Sequence, residues 1–487
     1  MGVLAAALLV AVGVTLGLFF SSDRNGDGQD VVIGEINSAD RIIFWTGCDD
    51  VAELTDAELD QWKGRGVDGF VCMTGQLKNL GGSNDFTGVA GAGLAGGRYG
   101  LQRRLRDADL ADRAQQRKMK LYLGFYASNT FNRVTPFVDW FEDQSWSRKV
   151  LPSVRQLAAA ARRLGFAGLA IDQELYTDPN ASWDWNYAGG DHSESQVRAK
   201  VKQRGVELMT AMVRGFPGLQ LMAYDTKVPG SWQDLVQERI NNLSDVYRNN
   251  VQIDLWDGLS SVRGYRAIRW MDAVFYKAPH LQEATWDTAL QYNANAVYSL
   301  LSRRFSNWAY ASSRLHLSPF SWISEGPSEF ERARDPDEVD EQLAAFRRWG
   351  SGGEFANYAY NGLDEFDYTP YVPALRSAST PGQVDAAPPR LSITRRTRKT
   401  NSRRLTLGGV ATDNFAIRAV RWRDDAGHSG VMQLSWVVDP GTTGSVVNSR
   451  MLWTSGNIPL RKGATTISVI AEDIKGLTTV RTVRVRR

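Results

Sequence analysis

Between Arg41 and Gly362 the chain alternates short apolar runs with longer amphipathic stretches. The runs are RIIFWTG (41–47), DGFVCMTG (68–75), KLYLGFYAS (120–128), FAGLAIDQE (166–174), LQLMAYD (219–225), DAVFYKAP (272–279), RLHLSPFSW (314–322) and EFANYAYNG (354–362). Several are apolar at consecutive positions, the pattern of a strand covered on both faces of a parallel sheet. Stretches between them, such as VLPSVRQLAAAARRLG and VDEQLAAFRRWG, repeat their apolar positions with helical spacing. This alternation predicts parallel strands joined by crossover helices, and eight such units predict a closed (β/α)8 TIM barrel over residues 39–376. The span exceeds what a minimal barrel needs, so several loops after strands must be long. Two stand out: the glycine-rich segment 75–100, and 177–195, TDPNASWDWNYAGGDHSES. Both would overhang the rim where strands end, and Trp183, Trp185 and Tyr187 are costly to expose there without a purpose.

SASTPGQVDAAPP (377–389) has the composition of a linker. After it, short alternating runs (LSITRR, IRAVRWRD, MQLSWVVD, TTISVIAED, TVRVRR) are broken by Gly, Asp and Asn turns, which predicts an all-β sandwich over 390–487. GGVATDNFAIRAVRWR and LRKGATTISVIAEDIKG resemble the bacterial immunoglobulin-like domains appended to many secreted hydrolases. That resemblance implies a spacer or wall-binding module. Deletion of 385–487 should leave a hydrolase active on soluble substrate, whereas an adhesion protein should lose attachment.

At the other end, residues 2–20, GVLAAALLVAVGVTLGLFF, carry no charge and reach ~28 Å as a helix. Residues 1–22 therefore read as a signal peptide or a membrane anchor, and either places the bulk of the chain outside the cytoplasm, secreted or at the cell surface. Residues 23–38 read as a spacer. DRNGDGQD (23–30) echoes a calcium loop, but Gly34 stands where that loop needs Glu.

Composition, 43% hydrophobic and 23% charged, is that of a folded protein. The 16 Trp belong to the core or to sugar-stacking surfaces. Charge is unevenly placed: from Arg390 onward there are 18 Lys/Arg against 6 Asp/Glu, a +12 tail on a chain whose total is +3. A basic appendage on an acidic body fits a polyanionic cell-wall polymer, or serves solubility alone. Cys48 and Cys72 fall near the ends of the first two strands, as a disulfide or as two buried thiols. Neither has Cys or His partners at metal-ligand spacing, and no metal or cofactor is expected. GAGLAG (91–96) fits G-x-G-x-x-G but does not follow a strand directly, which argues against a nucleotide site.

The candidate chemistry lies in GFAGLAIDQELY (165–176), where an apolar run ends in Asp172 and Glu174. Alternation along a strand sends both carboxylates to one side, at the C-terminal rim of a barrel. Two acids so placed cannot both ionise freely, a route to a general acid at neutral pH. The stretch resembles the fourth-strand signature of glycoside hydrolase family 18, GFDGxDxDWEY. The resemblance implies that Glu174 protonates the glycosidic oxygen and that Asp172 orients the substrate's N-acetyl group. Ala167 and Ala170 replace two acids of that signature, and Gln173 replaces its Trp. MAYD (222–225) resembles the family's Met-x-Tyr-Asp, one strand early, and puts Tyr224 and Asp225 beside the pair. A competing arrangement pairs Glu174 with Glu325 after the seventh run, for double displacement or inversion according to their separation; Glu325 otherwise caps the next helix. Trp45, Asp49, Tyr126, Trp322 and Tyr360, at or beyond other strand ends, complete a substrate-binding set with Tyr224, Asp225, Trp183 and Trp185.

These readings converge on an exported glycoside hydrolase acting on a bacterial polysaccharide. Nucleic acid is not expected as a partner, and membrane contact is expected only through the N-terminal helix. A barrel that binds glycan without cleaving it, and a surface adhesion protein, are the alternatives.

Overall fold

The computed structural model describes residues 30–32, 41–73, 109–126, 139–172, 184–186, 191–224, 250–270, 286–318, 320–323, 335–349, 354–358, 363, 366–379, 387–395, 397–437 and 449–487. The hydrophobic segment 2–20, GAGLAG and most of the calcium-like stretch lie outside these residues.

The core of the molecule is a parallel sheet that curls into a TIM-like α/β barrel. Its order runs from Leu315–Leu317 through Ala267–Trp270, Gln220–Tyr224, Gly168–Asp172, Lys120–Tyr126, Val67–Met73, Arg41–Gly47 and Glu354–Tyr358 to Phe320–Trp322. Every pairing is parallel. The two end segments are successive pieces of one stretch of chain, separated only by Ser318 and Pro319. One piece pairs with the sixth strand and the other with the eighth, so the seventh strand carries the sheet around to its beginning. Proline has no N–H to give to a ladder, which accounts for the break.

Alternation divides the strand residues into two cores. Ile43, Trp45, Val71, Met73, Tyr122, Ala170, Met222 and Tyr224 cluster inside the ring. Their chain neighbours, among them Phe44, Phe70, Leu123, Leu169 and Leu221, join a larger cluster with the surrounding helices. Burial on both faces explains why these strands read as unbroken apolar runs.

The sixth strand is a correction to the sequence reading. The segment that pairs with the fifth and seventh strands is Ala267–Trp270, not 272–279, which lies outside the described residues. Ile268 and Trp270 pack toward the helices, with Trp270 against Trp256 at 5.3 Å between ring centroids. Alternation then turns Arg269 inward, and that charge is what hid the strand.

Cys48 and Cys72 form a disulfide, with Cα atoms 4.3 Å apart. It ties the first residue of the helix Cys48–Glu53 to the second strand, at the rim end of both.

Beyond the barrel the chain forms antiparallel sheets. One takes the order Asp30–Val32, Thr478–Arg486, Ala464–Asp473, Ile417–Asp424, Ser429–Val431; a second runs Arg390–Arg395, Gly408–Asp413, Ser449–Thr454, Gln433–Trp436. Leu391, Ala411, Leu434 and Met451 from one sheet meet Val420, Val469, Val483 and Val485 from the other in a single core. Asp30–Val32, within the stretch read as a spacer, pairs antiparallel with Thr478–Val480.

This β unit is docked on the barrel. The strand Gln433–Trp436 is a sheet edge, and its outward N–H groups at Leu434 and Trp436 donate to Ser302 Oγ (2.9 Å) and Ser299 Oγ (3.1 Å) of the helix Trp286–Arg304. A covered edge strand leaves no open ladder for another chain. Asn295 of the same helix donates to Ser449 at 2.8 Å, and Tyr292 meets Trp436 edge-on with centroids 4.5 Å apart. Farther along, Lys475 donates to the carbonyl of Arg347 at 2.8 Å, Trp349 packs on Phe415 at 4.9 Å, and Ala416 and Ile474 belong to the barrel's outer core. Glu472 bonds both Arg418 and Arg421, and Arg421 also reaches Ser312 of the barrel. Burial pushes the Arg418 guanidinium below its ordinary pKa.

Candidate functional site

The fourth strand ends at Asp172, which is 1% exposed. Its register partners are Tyr126 on the third strand and Tyr224 on the fifth, both also terminal residues of their strands. Asp172 alternates with Ala170, a member of the inner cluster, so its carboxyl faces the inside of the barrel. Tyr224 is fully buried, and its ring lies on that of Trp45 at 5.0 Å and 37°. The first and fifth strands are not neighbours in the sheet, so this contact crosses the barrel interior. Lower down, Tyr122 donates its hydroxyl to Gln220 Oε1 at 2.7 Å. The carboxyl therefore stands on an aromatic floor, at the end of the barrel where the loops gather.

Those loops meet one another around the fourth strand. Phe141, after the third strand, stacks on His192, after the fourth, with centroids 3.6 Å apart. Asp184, in the same insertion after the fourth strand, forms a β-bridge with Asn250, after the fifth. Trp185 between these contacts is half-buried and packs against the outer core, so it is held rather than loose. The following helix Glu194–Gly215 starts at a capping box, Ser193 with Gln196, which fixes where the insertion returns to the barrel. Two cations from that helix, Lys200 and Arg204, bond Asp143 in the segment after the third strand, and Arg204 also bonds the Trp140 carbonyl at 2.9 Å. They hold the Asp143 carboxyl below the usual carboxylate pKa.

Of the sequence-derived candidates, the structure brings Asp172, Tyr224 and Trp45 together. Tyr126 is placed by backbone register next to Asp172, and Trp322 by register next to Tyr358, itself the partner of Trp45. Asp49 lies in the helix Cys48–Glu53, where its neighbour Asp50 accepts a bond from Thr46 Oγ1 at 2.8 Å. Glu174, Glu325, Asp225, Trp183 and Tyr360 lie outside the described residues.

Two interior polar groups were missed by sequence reasoning. Gln220, at the start of the fifth strand, was hidden inside an apolar run. Arg269, in register with Met222 and His316, was hidden with its strand. The signal for both was a polar residue spaced by two from known interior positions. Among the described residues no group of three or more His, Cys, Asp or Glu could hold a metal ion.

No protein-family model matches the chain. No curated protein matches it either. Among solved structures it is similar to the endo-β-1,4-mannanase from Thermotoga petrophila, at 8% identity over 93% of this chain and 98% of that one, with a TM-score of 0.40. It is also similar to an endo-glycoceramidase II from Rhodococcus sp., at 11% identity over 91% and 97%, TM-score 0.39. A third likeness is to a family 18 chitinase from Pseudoalteromonas aurantia, at 12% identity over 69% and 99%, TM-score 0.36. Likenesses this remote do not carry chemistry, which has to rest on the side chains of this chain.

Proposed function

We propose that this protein is an exported glycoside hydrolase acting on a polysaccharide, with its chemistry at the end of the fourth barrel strand. The observation that carries the reading is Asp172, an ionisable side chain buried at the rim end of a parallel barrel strand, between two strand-terminal tyrosines. Burial removes Asp172 from direct exchange with solvent and suits a supporting role. It would orient an N-acetyl group of the substrate or stabilise the positive charge that develops on the sugar ring. Glu174, two residues further along the chain, would then be the acid that protonates the departing glycosidic oxygen. Strand alternation carried two residues further would send it to the same side as Asp172. Substrate-assisted attack needs only this pair, whereas a nucleophilic or base role for Glu325 would make the enzyme a two-glutamate hydrolase. Asp225, Trp183, Trp185 and Tyr360 would bind sugar beside them.

The Cys48–Cys72 disulfide supports an oxidising compartment outside the cytoplasm, in keeping with the apolar segment 2–20 as signal or anchor. The C-terminal β unit fits an immunoglobulin-like module.

A second reading, a barrel that holds glycan without cleaving it, is favoured by the full burial of Trp45 and Tyr224. The discriminating experiment incubates purified full-length protein with a panel of neutral, N-acetylated and acidic polysaccharides. Release of new reducing ends from at least one of them is expected. Retention on a glycan without any release would overturn the hydrolase and leave the binding barrel.

A further inference from the structure

We infer that the far end of the C-terminal β unit is a binding surface for an anionic polysaccharide, independent of whatever the barrel does to its substrate. The basic excess of this region is not spread evenly over internal partners. Among its described acids, Asp425 pairs with Arg461 at 2.7 Å, and Glu472 takes both Arg418 and Arg421. Asp424 accepts from His428 and from the N–H of Ala426. Asp413 and Asp473 accept main-chain N–H groups in turns, from Phe415 and from Lys475 and Leu477. The internal carboxylates thus engage Arg418, Arg421 and Arg461. Arg398, Lys399, Arg404, Arg484 and Arg486 are exposed, and among the described residues none of them pairs with a carboxylate.

Backbone geometry gathers four of these five. In the strand Thr478–Arg486, Val483 and Val485 enter the core, so Arg484 and Arg486 share the outer face, ~7 Å apart. Their cross-strand neighbours are Thr466 and Ala464, too small to cover them. The segment carrying Arg398 and Lys399 is laid along the same strand end. Arg486 N–H donates to the Arg398 carbonyl at 2.9 Å, Thr400 N–H donates to the Arg486 carbonyl at 3.0 Å, and Lys399 bridges Arg486. Asp425, beside Thr466, is already committed to Arg461.

The cluster also lies at the strand end remote from the docked turn. The turn at the other end of this hairpin is the docked one, through Ile474 and Lys475. Nine strand residues, ~27 Å, separate it from Arg486. A row of cations on an extended strand matches an extended polymer that bears a carboxylate or phosphate on successive units. A single-stranded nucleic acid would require aromatic platforms for its bases. None is present: the exposed large hydrophobic side chain of this region, among the described residues, is Leu452. The disulfide further favours a polymer found outside the cytoplasm.

Affinity electrophoresis of the full-length protein tests this, with polyuronate (alginate, without calcium) or neutral dextran cast in the gel. Polyuronate is expected to retard the wild type in a salt-sensitive way, and dextran is not. The double variant Arg484→Glu/Arg486→Glu is expected to bind about tenfold more weakly. Arg162→Glu/Arg214→Glu, an equal charge change on exposed barrel positions, should bind as the wild type does. Equal loss in both variants would show mere net charge and overturn the assignment. Duplex DNA displacing polyuronate at equal phosphate and carboxylate concentration would overturn it in favour of nucleic acid. A polyphosphate chain competing better than free uronate chains would keep the surface and place phosphate rather than carboxylate on the polymer. Because retardation is read without bond cleavage, failure here leaves the hydrolase proposal untouched, and failure of that proposal leaves this one standing.

Discussion

Ser299 and Ser302 show how much a single hydroxyl can carry. Ser302 Oγ accepts the edge N–H of Leu434 and donates to the Ser299 carbonyl at 3.0 Å, all buried. Ser302→Ala removes the acceptor and leaves a buried N–H without its partner, a cost of about 1–3 kcal/mol. Urea denaturation should read this as a lower midpoint at unchanged slope, and Ser302→Thr, which keeps the hydroxyl, should recover most of it. Nothing in the sequence marks these serines, because a polar residue on a helix reads as solvent-facing. Asp172 and Tyr224 were legible for the opposite reason: each ends an apolar run, where a polar side chain must have a use. Arg269 and Gln220 were not, since a polar residue inside a barrel breaks the very pattern that locates the strand.

Among elements, strands buried on both faces announced themselves: six of the eight runs contain the strand found there, and 68–75 overlaps all of Val67–Met73 but its first residue. The split of the seventh strand follows from Pro319, visible in the sequence but read there as one uninterrupted run. Helix pairing was invisible, although it depends on two glycines. Gly205 of the helix Glu194–Gly215 and Gly258 of the helix Gln252–Ser261 let the two backbones touch. A Cβ on Gly258 would sit 2.0 Å from the Lys202 carbonyl oxygen, and one on Gly205 would sit 2.1 Å from that of Leu255. Since backbone cannot swing aside as a side chain does, Gly258→Ala must push the helices apart and should cost about 1–3 kcal/mol. Thermal melting checks this, and an unchanged or higher melting temperature would show that the helices slide without penalty.

For the whole molecule, linker composition at 377–389 pointed to a separable module, and the docked interface argues otherwise. The helix Val372–Ser379 already occupies the beginning of that stretch. Removing 385–487 would bare the helix Trp286–Arg304, whose buried set includes Gln291, Asn293, Asn295, Ser299 and Ser302, together with Trp349 and Ala311 nearby. That helix delivers the chain from the sixth strand to the seventh, the strand that brings the sheet around. The truncated protein is therefore expected to be aggregation-prone and to melt lower than the full chain, measured by light scattering and calorimetry. A soluble barrel with an unshifted transition would show that the interface is dispensable.

The proposed function rests on one pair of residues, and one measurement reaches it. Initial rates of reducing-end release by wild type and Glu174→Gln are compared on the same polysaccharide, with melting curves of both proteins run alongside. Loss of the general acid predicts rates lower by about 10²–10⁴-fold at matching melting temperature. Equal rates in the two proteins would contradict the assignment of Glu174, and with it the fourth-strand site.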